Sequence, residues 1–168
     1  MVETANAPQI LDVHNLRIEA VTETGNRVTL VDDVSFTLNK GEVLGLIGES
    51  GAGKSTIGLS TLIYARGGCE ITGGQILFQG HELRDLGIDG RQSLRGAKVA
   101  YIAQSAAAAF NPAHTLYDQV CEVALQHGVM NFAQARTEAI RLFRELDLPN
   151  PETFGNRYPH QVSGGQLQ

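Results

Sequence analysis

Two short stretches of this chain place glycines, hydroxyls and a lysine at spacings suited to an anion. The first, "GESGAGKST", occupies residues 48–56. It fits the phosphate-loop pattern G-x-x-x-x-G-K-[ST] from Gly48 to Ser55, with Thr56 beyond. Gly48, Gly51 and Gly53 let the backbone turn through positive φ and come close to oxygen atoms. The N–H groups of 51–56 then point inward as a nest at the start of a helix, where partial positive charge collects. Lys54 adds a point charge for β- and γ-phosphates, Ser55 offers a hydroxyl to Mg²⁺, and Thr56 serves the α-phosphate side. Glu49, Ser50 and Ala52 complete the loop. The second stretch is Ser163-Gly164-Gly165-Gln166. By itself it reads as a helix start, with Ser163 as N-cap and the glycines as a turn.

The elements around these stretches give the loop its context. Residues 42–48, "EVLGLIG", are apolar on both faces and predict a buried parallel strand. A helix over 54–65 follows the loop. Upstream, 9–18 and 28–38 read as two strands across turn residues 22–26, with Leu30, Val34, Phe36 and Leu38 on one face. Residues 73–80 read as a short strand between glycine turns, and 81–97 as polar loop with a helical turn near Arg91–Arg95. "KVAYIAQ", 98–104, predicts a second buried strand ending in Gln104. A loop then runs to an N-cap at Thr115. Helices are expected over 115–128 and 133–147, the second with Ala135, Ala139, Leu142, Phe143 and Leu146 on one face. A short helix over 151–157 leads to "YPHQ". Strands dominate the first hundred residues and helices the last fifty, which puts a subdomain boundary near 104–112.

Composition narrows the classes. The net charge is −5 over 168 residues, with Lys and Arg scattered, so no basic footprint suggests nucleic acid or an anionic membrane surface. The first twelve residues show no signal-peptide pattern, and no run of 18 apolar residues predicts a membrane span. Cys69 and Cys121 lie far apart without metal spacing and read as reduced thiols. The five His are isolated as well.

Taken in order, these features resemble the ATP-binding subunit of ABC transporters. The matching parts are a two-strand antiparallel entry, the Walker A loop "GESGAGKST", a strand ending in Gln104, a helical insert, and "VSGGQ" at 162–166. The last resembles the signature usually written LSGGQ, with Val162 for Leu and Leu167 where many importers carry Arg. The resemblance implies an α/β P-loop NTPase fold, the ABC ATPase domain. It would have an antiparallel β subdomain, a parallel core around the Walker A loop (to about residue 104), and a helical subdomain (about 105–168). It implies ATP and Mg²⁺ as ligands, with Ser55 and Gln104 at the metal and Gln104 sensing the attacking water. It also implies a second ATPase subunit, identical or not, paired head to tail. Ser163, Gly164, Gly165 and Gln166 would then meet the γ-phosphate of ATP held by the partner.

"GLSTLIYARGG", "AYIAQSAAAAFNPAHTLYDQV" and "NRYPHQVSGGQ" resemble the peptide and nickel importers more narrowly, through Asn111-Pro112 and "YPHQ". That branch implies ATP-driven import of peptide-like solutes from the cytoplasmic face of the membrane. Permease subunits would dock on the loop Gln104–Pro112, and a solute-binding protein would act indirectly. A soluble, non-transport ABC ATPase and a non-catalytic nucleotide-binding fragment are the alternatives. Two departures from the family follow. No Phe, Tyr or Trp precedes Phe36, so Val21 or Val28 is left to carry the adenine. The Walker B strand and its Asp-Glu pair, expected after the signature helix, do not occur within 1–168; "PQILD" and "LFRELD" do not substitute. The expectation is an ATPase domain incomplete at its C-terminus and inactive by itself.

Overall fold

A computed structural model describes residues 7–65 and 67–168. Backbone contacts divide the chain into two compact units, residues 1–92 and 93–168.

The first unit is built on one antiparallel sheet, order β2-β1-β3-β4. β1 spans Gln9–Val21, β2 Arg27–Asn39, β3 Cys69–Phe78 and β4 His81–Glu82. Val13, Leu16, Ile18, Val31, Ile76, Leu83 and Leu59 make its core. Full burial of such a side chain contributes about 1.5–3 kcal/mol. Strict alternation would have buried residues 14 and 16 together, but a bulge at Asn15, φ +47°, puts Val13 and Leu16 on one face. Gly74 sits opposite with φ +84°, where an added Cβ would meet the carbonyl oxygens of His14 and Asn15 at 2.5 Å. The two glycines at 73–74 are therefore strand residues. β3 starts at Cys69, four residues before the strand predicted from sequence.

A second bulge corrects the face of β2. Asp33 has φ +52°, and its carboxylate accepts from the Asn15 side chain. Beyond it the inward face passes to Val31, 4 % exposed, and Leu30 turns outward at 42 %. The helix expected over 54–65 is shorter: α1 spans Lys54–Ser60. The segment 81–97 holds β4 and a two-turn helix, α2, Ile88–Leu94.

The largest departure concerns the predicted parallel strands. Neither 42–48 nor 98–104 pairs into a sheet; the described residues add only an isolated bridge between Arg95 and Val99. Val43 and Ile47 are 94 % and 98 % exposed, and Ile102 82 %. A parallel strand needs a parallel neighbour. Residues 42–48 belong to the first unit and 98–104 to the second, and no described strand within either unit pairs with them in parallel.

The second unit is helical: α3 Ala106–Ala109, α4 Leu116–Gln126, α5 Phe132–Glu145, α6 Pro151–Phe154, a 3-10 turn Pro159–Gln161, and α7 Gly164–Leu167. Its core joins Leu116, Tyr117, Cys121, Ala135, Ala139, Phe143 and Phe154. Phe143 meets Phe154 edge-on at 5.3 Å and Tyr117 at 5.9 Å. Of the predicted α5 face, Ala135, Ala139 and Phe143 are buried, while Leu142 and Leu146 are exposed. α4 begins at the predicted cap. Thr115 Oγ1 accepts from Asp118 N, and the Asp118 carboxylate accepts from Thr115 N. The Thr115 hydroxyl, followed by its N–H, holds the Asp118 carboxyl below the ordinary aspartate range.

Candidate functional site

The loop 48–56 is curled between the end of the apolar run and α1. Gly51 and Gly53 have φ +85° and +84°, the left-handed conformation that glycine adopts without a Cβ penalty. Gly53 is also the N-cap of α1, and Ile57 N donates to its carbonyl at 2.8 Å. A Cβ there would press on Leu30 O and Val31 Cγ2 at 3.3 Å, so β2 backs the loop directly. The sequence pattern does not identify this support; the signal was the apolar pair Leu30-Val31 itself.

Lys54 leaves α1 and folds back over its own loop. Its Nζ donates to Gly48 O at 2.8 Å and Glu49 O at 2.6 Å. The ammonium thus lies in the concavity formed by the 48–53 main chain. Ser55 is exposed and Thr56 half-buried, both in the first turn of α1. The Lys54 ammonium stands at the mouth of a loop with two left-handed glycines, and the hydroxyl residues Ser55 and Thr56 follow it in the chain. Such a mouth binds an anion well and offers hydroxyl oxygen to a hard cation. Among the described residues, no group of three or more His, Cys, Asp or Glu could hold a metal ion.

Gln104, Asn111-Pro112 and the 163–166 segment belong to the second unit, whereas 48–56 belong to the first. Gln104 is exposed, just before α3. The loop that follows is pinned to α4. Asn111 N donates to Gln119 Oε1 at 2.8 Å, and Gln119 Nε2 donates to Asn111 O and His114 O. Phe110 packs against the helical core and anchors the loop from below.

Ser163 caps α7. Its Oγ accepts from Gln166 N at 3.3 Å, and Gln166 Oε1 accepts from Ser163 N at 3.0 Å. Ser163, Gly164 and Gly165 are exposed, with open space where a Cβ would stand on either glycine. Val162 and Leu167 flank them and pack against the helical core, fixing this polar tip between two apolar anchors. Gln168 Nε2 donates to Ala103 O at 3.2 Å, so the end of this segment touches the residue before Gln104. Just upstream, Pro159 is buried while the exposed rings of Tyr158 and His160 stack at 5.7 Å. The motif "YPHQ" carried no signal for that stack beyond its two ring residues.

The fold is that of a P-loop ATPase domain. The chain superposes on the ATP-binding cassette MJ0796, solved as a post-hydrolysis dimer bound to ADP and Pi, with a TM-score of 0.74. That likeness covers 94 % of this chain and 65 % of the other, at 21 % identity. The ABC transporter family model matches residues 31–168, and the chain belongs to that family. It is 33 % identical over 169 residues to a probable peptide ABC transporter ATP-binding protein of Sinorhizobium fredii, covering all of this chain and 50 % of the relative. It is 36 % identical over 161 residues to the dipeptide transport ATP-binding protein DppD of Bacillus subtilis, covering 95 % and 48 %. With the oligopeptide transport ATP-binding protein OppD of Salmonella typhimurium the identity is 36 % over 173 residues, covering 99 % and 50 %. The chain therefore spans about half the length of the curated relatives it matches. No helix among the described residues is long and apolar enough to cross a membrane.

Proposed function

We propose that this chain is nucleotide-binding machinery of an ABC importer for peptide-like solutes, binding ATP on the loop Gly48–Thr56. The carrying observation is the Lys54 ammonium held over the mouth of that loop by the Gly48 and Glu49 carbonyls. On binding, the ammonium exchanges those carbonyls for β- and γ-phosphate oxygens. The N–H groups of 51–56 take the remaining phosphate oxygens, with Thr56 on the α-phosphate side. Ser55 and Gln104 supply oxygen donors of the kind Mg²⁺ prefers. When bound, the ion neutralises charge on the β- and γ-phosphates.

In this reading the helical subdomain runs from about 105, and Gln104 orients the attacking water. Ser163, Gly164, Gly165 and Gln166 complete the nucleotide site of a second ATPase subunit, identical or not. The capped, exposed tip of α7 supports that role, since its glycines leave room for a phosphate. The loop Gln104–Pro112 docks a permease at the cytoplasmic face of the membrane, and a solute-binding protein delivers the solute. The similarity to dipeptide and oligopeptide transport proteins supports the solute class. The finer reading is that residues 1–168 alone bind MgATP without turning it over, because the Asp-Glu pair of the family pattern is not found among them.

Calorimetric titration of the chain with MgATP, and with tripolyphosphate as competitor, tests the assignment. Saturable MgATP binding displaced by tripolyphosphate is expected. Binding that tripolyphosphate does not displace would overturn it.

A further inference from the structure

A cavity of about 430 Å³ lies wholly within the first unit. It is lined by Ile63, Cys69, Glu70, Ile71, Arg84 and Arg91. Its size falls in the range of small-molecule sites, roughly 300–1,000 Å³. Two guanidiniums share its wall, and among the described residues neither pairs with a carboxylate. Arg84 donates to the carbonyls of Gly74 and Ile71. Arg91 donates through Nε to Leu86 O at 2.9 Å and through its terminal nitrogen to Arg84 O at 3.3 Å. Two acids of this region are engaged elsewhere. Glu82 accepts from the main-chain N–H groups of Ile76 and Arg84. Glu70, on the cavity wall, pairs with Arg27 at 3.1 Å.

A guanidinium carries five N–H donors in a rigid fork. Here main-chain carbonyls fix each fork in place and leave donors to spare. Two like charges facing one cavity repel each other, and an anion between them turns that repulsion into binding. A planar carboxylate suits one fork, whereas a tetrahedral phosphate presents oxygens to two. Ile63 and Ile71 add apolar wall beside the charges. We propose that this cavity is a second anion site, distinct from the loop 48–56, and that it takes a small phosphate-bearing molecule.

Cys69 lies on the cavity wall and is partly exposed, whereas Cys121 is buried, so alkylation of Cys69 reports this place alone. The experiment compares anionic iodoacetate with neutral iodoacetamide at Cys69 of the 168-residue protein. Both are repeated with inorganic phosphate and with glycerol phosphate. Iodoacetate should show a rate advantage that Arg91→Gln removes, and both phosphates should protect the thiol. Arg91→Gln should weaken that protection by about tenfold or more. Arg91→Lys keeps the charge and loses the fork; it should keep the iodoacetate advantage while losing protection, and it stands in if the Gln variant does not fold. Tighter protection by glycerol phosphate identifies a phosphomonoester ligand, and equal protection identifies free phosphate. Lys54→Ala should change neither readout, which separates this site from the nucleotide loop. Absence of protection by either phosphate, or protection unchanged in both Arg91 variants, would overturn the proposal.

Discussion

Replacing Lys54 by Ala isolates the charge at the loop. In the free protein its ammonium makes two hydrogen bonds, to Gly48 O and Glu49 O. In the proposed reading, nucleotide binding exchanges these for bonds to phosphate oxygens, so the net gain would come from meeting a full negative charge in place of a carbonyl dipole. A hydrogen bond to a charged group contributes about 1.5–3 kcal/mol. Losing one such interaction weakens ATP binding roughly tenfold to a hundredfold. The loop is largely exposed, but Lys54→Ala also removes the two bonds to the Gly48 and Glu49 carbonyls, so a urea melt run beside the titration separates an affinity loss from a folding loss. Calorimetry with ATP, ADP and adenosine makes the test specific. ATP should lose most, ADP less, and adenosine nothing, because only the terminal phosphates meet Nζ. Equal losses for all three would mean that Lys54 shapes the loop rather than binding phosphate. Unchanged ATP affinity in a folded variant would refute the assignment of 48–56.

Four further outcomes are expected. Ser163→Arg, in any longer form of the chain that dimerises with ATP, should spare nucleotide binding and abolish dimerisation in size-exclusion chromatography, if the α7 tip serves the partner's nucleotide as proposed. Purified 1–168 should release no phosphate from MgATP above a Lys54→Ala control; turnover that vanishes in that control would contradict the non-catalytic reading. Gly155→Ala should destabilise the helical unit by about 1–3 kcal/mol, since a Cβ there meets the buried Tyr117 ring at 2.5 Å; the urea midpoint measures it. Thr115→Ala should cost about 1 kcal/mol near neutral pH through loss of the α4 cap. Asp118 has a depressed folded-state pKa, so its share of stability is present above the unfolded value of 3.8 and is lost as pH falls through the lower folded value. The gap between wild type and Thr115→Ala should therefore narrow in acid, as read by urea melts down the pH series.

What could be read in the sequence was what depends on neighbours along the chain. The loop 48–56 concentrates its requirements in nine consecutive residues, and Thr115 and Ser163 announce their caps with partners three residues on. The bulges could not be read, because each is set by a partner strand. Asn15 faces Gly74 across β1 and β3 and bonds Asp33 across β1 and β2. Those contacts decide that Val31 rather than Leu30 points inward, and that Gly73-Gly74 continues a strand. The apolar runs 42–48 and 98–104 show the same limit from the other side. Their composition is that of buried strands, yet composition supplies no neighbour, and Val43, Ile47 and Ile102 stand exposed. Arg84 and Arg91 were unreadable for a related reason. They are seven residues apart in a polar stretch, and only the fold of β3 and the residues after α1 brings both to one wall. Sequence thus exposes the chemistry of a site when a single loop carries it. It hides that chemistry when two distant segments must close around a ligand. In this protein the proposed nucleotide loop is a site of the first kind, and the proposed anion cavity is one of the second.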